Sequence, residues 1–217
     1  MFHFSWLRVG LLALVVCFPA FAADKAPTRA QALRAIEERS AETRRAAVQR
    51  LGQVGTMADA ERLVARLRDN DEQVRLLASA SMWQIWGRSG DSAIDVLYQR
   101  GLQQMEMARA DEAVATFSEI IRKKPSFAEA WNKRATVYYL MGEFALSMKD
   151  CDEVLKRNSS HFGALSGYGQ MYMQMGEPER ALGYFERALK VNPNLPGAST
   201  TLRLLQQQLQ EKQRRSV

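Results

Sequence analysis

Histidine and cysteine are the scarce residues. The chain of 217 residues has two of each, His3 and His161, Cys17 and Cys151. Removal of an N-terminal leader would leave one His and one Cys. That excludes a disulfide framework, a Cys/His zinc site and an iron–sulfur cluster in the mature chain. A single histidine also leaves at most one imidazole base for nucleophilic catalysis. Glycine (13) and proline (6) are too few for a collagen-like or low-complexity chain. No Gly-rich phosphate loop is present, and no two histidines stand at metal-ligand spacing. The sequence therefore predicts no catalytic residue, no metal and no cofactor. Beyond the first two dozen residues no apolar run reaches the roughly 18 residues of a membrane-spanning helix.

What is present is ordinary globular material. Hydrophobic residues make up 47% and charged residues 25%, and the length suits one or two domains. The start of the chain reads as an export signal over residues 1–22. Arg8 supplies a positive charge, Val9 to Phe18 supplies an apolar stretch, and Ala20-Phe21-Ala22 supplies the small residues a signal peptidase cuts after. The predicted location is the periplasm, with an uncleaved N-terminal anchor as the alternative. Val15 and Val16 before Cys17 argue against lipidation. The formal charge of +6 sits partly in a basic tail at 214–217 and just before it, and both signs are interspersed elsewhere. That distribution argues against nucleic-acid binding.

Repeats decide the architecture. Pro125, Ser159 and Pro193 stand 34 residues apart, a period typical of solenoids. Units of 94–127, 128–161 and 162–195 follow. Position 8 of each unit is small (Gly101, Ala135, Gly169), and so is position 20 (Ala113, Ser147, Ala181). Position 24 carries Phe117, Cys151 and Phe185, and position 15 carries Ala108, Gly142 and Gly176. Each unit is predicted to be two antiparallel helices. Small residues let them approach, larger ones fill the space beside them, and glycine closes the first helix. Trp131, Tyr138, Gly142, Tyr168-Gly169, Tyr172, Gly176, Ala181, Phe185 and Pro193 resemble the tetratricopeptide repeat. The last stretch, 196–213, places Leu202, Leu205 and Leu209 on one face and reads as a capping helix running to about Lys212.

Residues 26–92 repeat at a different step. Arg44 to Val54 aligns 31 residues before Arg75 to Ile85, and Asp69, Asn70 and Asp71 supply helix caps between them. This stretch resembles short HEAT-like repeats. Moving Leu63 and Leu67 by the same 31 residues lands on Ile94 and Tyr98, which predicts a helix shared by the two arrays. The predicted fold is thus all-α, an α–α superhelix of HEAT-like helices, three tetratricopeptide units and a cap.

The tetratricopeptide resemblance implies a concave groove lined by the first helix of each unit. Its facing positions here include Tyr98, Leu102 and Met105, then Asn132, Lys133, Thr136 and Tyr139, then Gln170, Met173 and Gln174. Gly163 and Gly167 are expected to leave the third unit shallow and open. Some family members clamp a terminal carboxylate with cations on these helices, but only Asn132 and Lys133 match such a clamp. His161, at the turn between units two and three, is expected in solvent, and Cys151 in the core. The implied function is an exported adaptor without enzymatic activity, binding a peptide or partner protein in envelope assembly, secretion or cytochrome maturation. The alternatives are a periplasmic holdase, a lyase-like accessory role suggested by the HEAT-like half, and self-association through the solenoid ends.

Overall fold

The computed structural model describes residues 26–215. The expected export signal at 1–22 lies outside them, as do the last two residues of the tail. Among the described residues there are eleven α-helices and no strand. They are α1 (Arg29–Ala35), α2 (Ala41–Val54), α3 (Ala60–Arg66), α4 (Glu72–Trp86), α5 (Ser92–Glu106), α6 (Ala110–Lys123), α7 (Ala128–Leu140), α8 (Phe144–Arg157), α9 (Phe162–Gln174), α10 (Pro178–Val191) and α11 (Ala198–Arg215). The all-α solenoid expected from the sequence is the observed architecture.

Helices α5/α6, α7/α8 and α9/α10 pair, and the pairing rests on size complementarity at positions 8 and 24. A Cβ built on Gly101 would lie 2.6 Å from the Phe117 ring, and one on Gly169 would lie 2.8 Å from Phe185. Only a residue without a side chain admits those rings. The middle unit solves the same problem the other way, with Ala135 in place of glycine and the smaller Cys151 in place of phenylalanine. Both are buried in one core cluster. Ser147 ties this pair together by donating its hydroxyl to the Ala135 carbonyl at 2.7 Å. The three first helices end alike. Arg109, Glu143 and Glu177 donate their N–H groups to Gln104, Tyr138 and Tyr172, each at 2.9 Å. The residue before each donor has positive φ, namely Ala108 (55°), Gly142 (81°) and Gly176 (71°). Such a turn favours glycine, so Ala108 holds a conformation that its Cβ resists.

The N-terminal layer, α1 to α4, is organised by arginines. Arg44 donates through Nη1 to the carbonyls of Glu38 and Arg39 and through Nε and Nη2 to both oxygens of Asp69. Arg75 repeats the gesture 31 residues later, donating to the carbonyls of Asp69 and Asn70. Its Nε, however, goes to Asn194 Oδ1 at 3.1 Å, across 119 positions. Burial pushes the Asp69 carboxyl up, but the Arg44 guanidinium overrides it and holds the group below the usual carboxylate range. Arg45 does the same for Asp71.

The bond to Asn194 is where the structure departs from a simple end-to-end stack. The layer folds back onto the far end of the third repeat. Asn194 Nδ2 donates to the Leu67 carbonyl at 2.6 Å, Asn192 Nδ2 donates to Ser79 Oγ at 3.2 Å, and Arg68 bonds the carbonyls of Lys190 and Val191. Phe162, the first residue of α9, is fully buried in the core of the N-terminal layer. The expected shared helix is not found. Two buried residues of α5, Ile94 and Tyr98, pack with Phe117 and Phe127 instead. The two halves are joined across Phe162 and the 190–194 segment. At the other end α11 buries Leu205 against the third unit, with Leu202 beside it. It continues past the expected Lys212 to Arg215, and Lys212 pairs with Glu179 at 3.1 Å.

Candidate functional site

The fold-back builds a pocket. A cavity of about 740 Å³ opens on the concave side, between α7, α9, the segment 195–201 and α4. Asn132, Thr136 and Tyr139 come from α7, and Gln170, Met173 and Gln174 from α9. Helical spacing puts each trio on one face. Thr136, Gln170, Met173 and Gln174 are exposed, and Asn132 is buried at the pocket's edge.

The remaining sequence-predicted groove residues lie elsewhere. Tyr98 is 4% exposed. Its ring packs edge-on against Phe127 at 5.3 Å and tilted against Phe117 at 6.1 Å. Burial and the neighbouring Glu129 carboxylate push its phenol far up. Leu102 and Met105 are half-buried against the core of the first unit. The first unit has phenylalanines at Phe117 and Phe127 for these side chains to cover, so its face turns inward. Lys133 is committed to a partner, as set out next.

A buried polar cluster underlies the pocket wall. Glu129 is 2% exposed and His161 is 0% exposed. His161 Nδ1 accepts the Ala164 N–H at 3.0 Å and so caps α9. Nε2 is then the proton-bearing atom, and it faces Glu129 Oε2 at 2.9 Å. The other carboxylate oxygen accepts from Asn132 Nδ2 at 2.9 Å and pairs with Lys133 Nζ at 3.2 Å. Burial pushes the Glu129 carboxyl up. The bond from His161, the Lys133 ammonium and the Asn132 amide outweigh it and hold the carboxyl below its ordinary range. His161, expected in solvent, is thus a buried capping and bridging residue. Trp86 stacks on its ring at 4.2 Å, and Trp83 meets it edge-on at 5.5 Å.

Trp83 is the residue that the sequence reading missed. It is 37% exposed, lines the pocket and carries the Lys133 ammonium over its ring at 5.4 Å. A Cβ on Gly163 would lie 2.5 Å from its ring. The gap expected at Gly163 is therefore filled by Trp83, while Gly167 stays open, with Cys151 Sγ 3.9 Å from where its Cβ would stand. A sequence signal did exist. In the 31-residue alignment Trp83 falls on Gly52. Gly52 packs under Ser81 and Gln84 of α4, so a tryptophan at the matching place in α4 has to reach a different layer. Cys151 is in the core as expected, with its thiol pushed up to about 12 by burial and by Asp150 and Asp152. At that value it is not a nucleophile near neutral pH.

Comparison with known proteins fits this geometry. The tetratricopeptide repeat model matches residues 98–161 and again 164–195. A TPR repeat-containing protein of Rhizobium etli is 31% identical over 192 residues, covering 88% of this chain and 86% of the relative. The chain belongs to the tetratricopeptide repeat family. The human RNA polymerase II-associated protein 3 is 26% identical over 156 residues, 71% of this chain but only 24% of that protein. Among solved structures, the first TPR of Spaghetti (RPAP3) bound to the HSP90 peptide SRMEEVD has a TM-score of 0.51 and 27% identity, covering 54% of this chain and 92% of that one. Tetratricopeptide repeat proteins generally mediate protein–protein interaction.

Proposed function

We propose that this protein is an exported, non-enzymatic adaptor that holds a segment of a partner protein in the pocket between α7, α9, α4 and the 195–201 segment. The observation that carries the reading is the pocket itself. It places Tyr139, Met173 and Trp83 beside Asn132, Thr136, Gln170 and Gln174, so apolar anchors and amide groups face one space. Anchored side chains supply most of the affinity in such sites, and amides bond the partner's backbone. The likeness to a peptide-bound tetratricopeptide structure supports it. The adaptor role includes export through residues 1–22, with cleavage after Ala22. Residues 26–92 act as a HEAT-like layer that supplies one wall of the pocket. Envelope assembly, secretion or cytochrome maturation are the settings in which such an adaptor would serve.

Two measurements test this. Cell fractionation with mass spectrometry of the N-terminus should find a mature chain beginning at Ala23 in the periplasm, and a full-length cytoplasmic chain would contradict export. Tyr139→Ala with Gln170→Ala should abolish partner capture from an envelope extract, with helicity retained and Tm lowered only by the lost packing of Tyr139 on Phe144. Capture at the wild-type level would remove the groove from the account. Capture of many unfolded clients rather than one partner would point to a holdase.

A further inference from the structure

The pocket is unusual in its electrostatics. Among the described residues that line it there is no Asp, Glu, Lys or Arg. Lys133 follows the lining residue Asn132 on α7. It is held on one side by Glu129 at 3.2 Å and on the other by the ring of Trp83 at 5.4 Å. Its side chain is 24% exposed, against 1% for Glu129. Glu129 is itself fixed by His161 and Asn132. Its charge can be balanced only locally, because a buried carboxylate without a partner is strongly unfavourable. Lys133 is thus neutralised within the protein before any ligand arrives.

From this arrangement we infer that the pocket selects an uncharged, extended segment of a partner protein and rejects acidic chain ends, with Glu129 as the specificity-determining residue. The inference rests on the peptide-binding reading above and narrows it. An acidic segment entering the pocket would lose water from its carboxylates and find no unpaired cation in return. A neutral segment loses little. Its apolar side chain can sit against Trp83, Tyr139 and Met173, while Gln170 and Gln174 bond its peptide groups. Specificity here comes as much from the missing charge as from the contacts that are made. Glu129 does not touch the ligand in this scheme. It acts by holding Lys133, and the α4 layer assists by laying Trp83 over the ammonium.

The test uses the folded chain from residue 23 onward and two probes. The first is a phage-displayed library of random peptides, selected on the wild type and counter-selected on Tyr139→Ala. The second is the labelled peptide SRMEEVD, followed by fluorescence anisotropy. Enriched peptides should be poor in Asp and Glu, carry an aromatic or aliphatic residue and depend on Tyr139, and SRMEEVD should not bind. Glu129→Gln keeps one carbonyl oxygen to accept from His161 Nε2–H, meets Asn132 through its new NH2 once the Asn132 amide turns to present its oxygen, and releases Lys133. It should bind SRMEEVD at least tenfold more tightly than wild type, with the gain lost in high salt. Should that variant fail to fold, Thr136→Lys adds a cation on the exposed pocket face and should produce the same gain. Tyr139-dependent binding of SRMEEVD to the wild type, or enrichment of acidic peptides, would overturn the selectivity and leave the groove reading intact. No Tyr139-dependent binding of any probe would overturn the groove reading itself. Failure of folded Glu129→Gln to gain acidic binding would remove Glu129 from its role, and failure of Thr136→Lys to gain it would show that the missing charge does not set the selectivity.

Discussion

Single residues in this chain show their purpose only when the repeats are laid over one another. Position 15 is glycine in two units and alanine in the first, yet Ala108 takes the same positive φ as Gly142 and Gly176. An L-residue there costs about 1–2 kcal/mol, and a glycine loses about 0.4–1 kcal/mol through the unfolded chain. Ala108→Gly should therefore stabilise the protein by about 0.5–1 kcal/mol in denaturant unfolding, and a loss of stability would contradict the strain. Position 8 and position 24 form a second such pair. Cys151→Phe alone should overpack the middle unit by about 1–3 kcal/mol. Adding Ala135→Gly, which recreates the Gly101–Phe117 and Gly169–Phe185 arrangement, should recover most of that loss in a double-mutant cycle. Simple additivity of the two changes would refute the pairing. These features were legible in the sequence because a fixed period places equivalent residues side by side. His161 was not legible. It stands in an inter-repeat turn next to Ser159 and Ser160, and the carboxylate that claims it, Glu129, lies 32 positions away on another helix.

Among the helices, α4 carries the result that spacing alone did not give. Its pattern reads as an ordinary amphipathic helix of the N-terminal layer, and one face does pack there through Val74, Ala78, Met82 and Ile85. Trp83 projects from another face into the concave side of the repeats. The approach is possible because α9 offers glycine at its second residue. Gly163→Ala should push the ring of Trp83 away at a cost of about 1–3 kcal/mol. Near-UV circular dichroism from the paired Trp83 and Trp86 should weaken in the same variant. An unchanged Tm together with an unchanged aromatic signal would mean that α4 does not rest on α9. For Gly163 the sequence suggested an open surface, since absence of a side chain looks like absence of contact. A glycine can equally mark the place where another element comes closest.

The molecule as a whole is closed on itself. Arg75, Ser79 and Leu67 meet Asn194 and Asn192 over separations of 113 to 127 positions. No local period encodes such contacts, and the two asparagines look like ordinary turn residues. That is why the sequence yields the helices and the repeats but a helix shared by the two arrays instead of a fold-back. Several carboxylates that tie the layers together, Asp59, Asp69, Asp71 and Glu129, sit below their ordinary range through arginine, lysine or histidine partners. Unfolded carboxyls titrate near pH 4, so on acidification the unfolded state takes up protons before the folded one. Stability should stay level from neutral pH down to about 5 and fall as the pH drops through about 4 and below. Thermal melts across that range check this, and a Tm that rises on acidification would contradict the ion-pair account.

The central claim is that the concave pocket, with α4 as one wall, is where a partner binds. Site-specific photo-crosslinking in living cells addresses it directly, with the photoreactive residue placed at Tyr139 and, as a control, at Gln207 on the exposed face of α11. The account predicts one dominant adduct from position 139, lost when Gln170→Ala is introduced, and no matching adduct from 207. Adducts from 207 with none from 139 would move the binding surface off the groove and contradict the account.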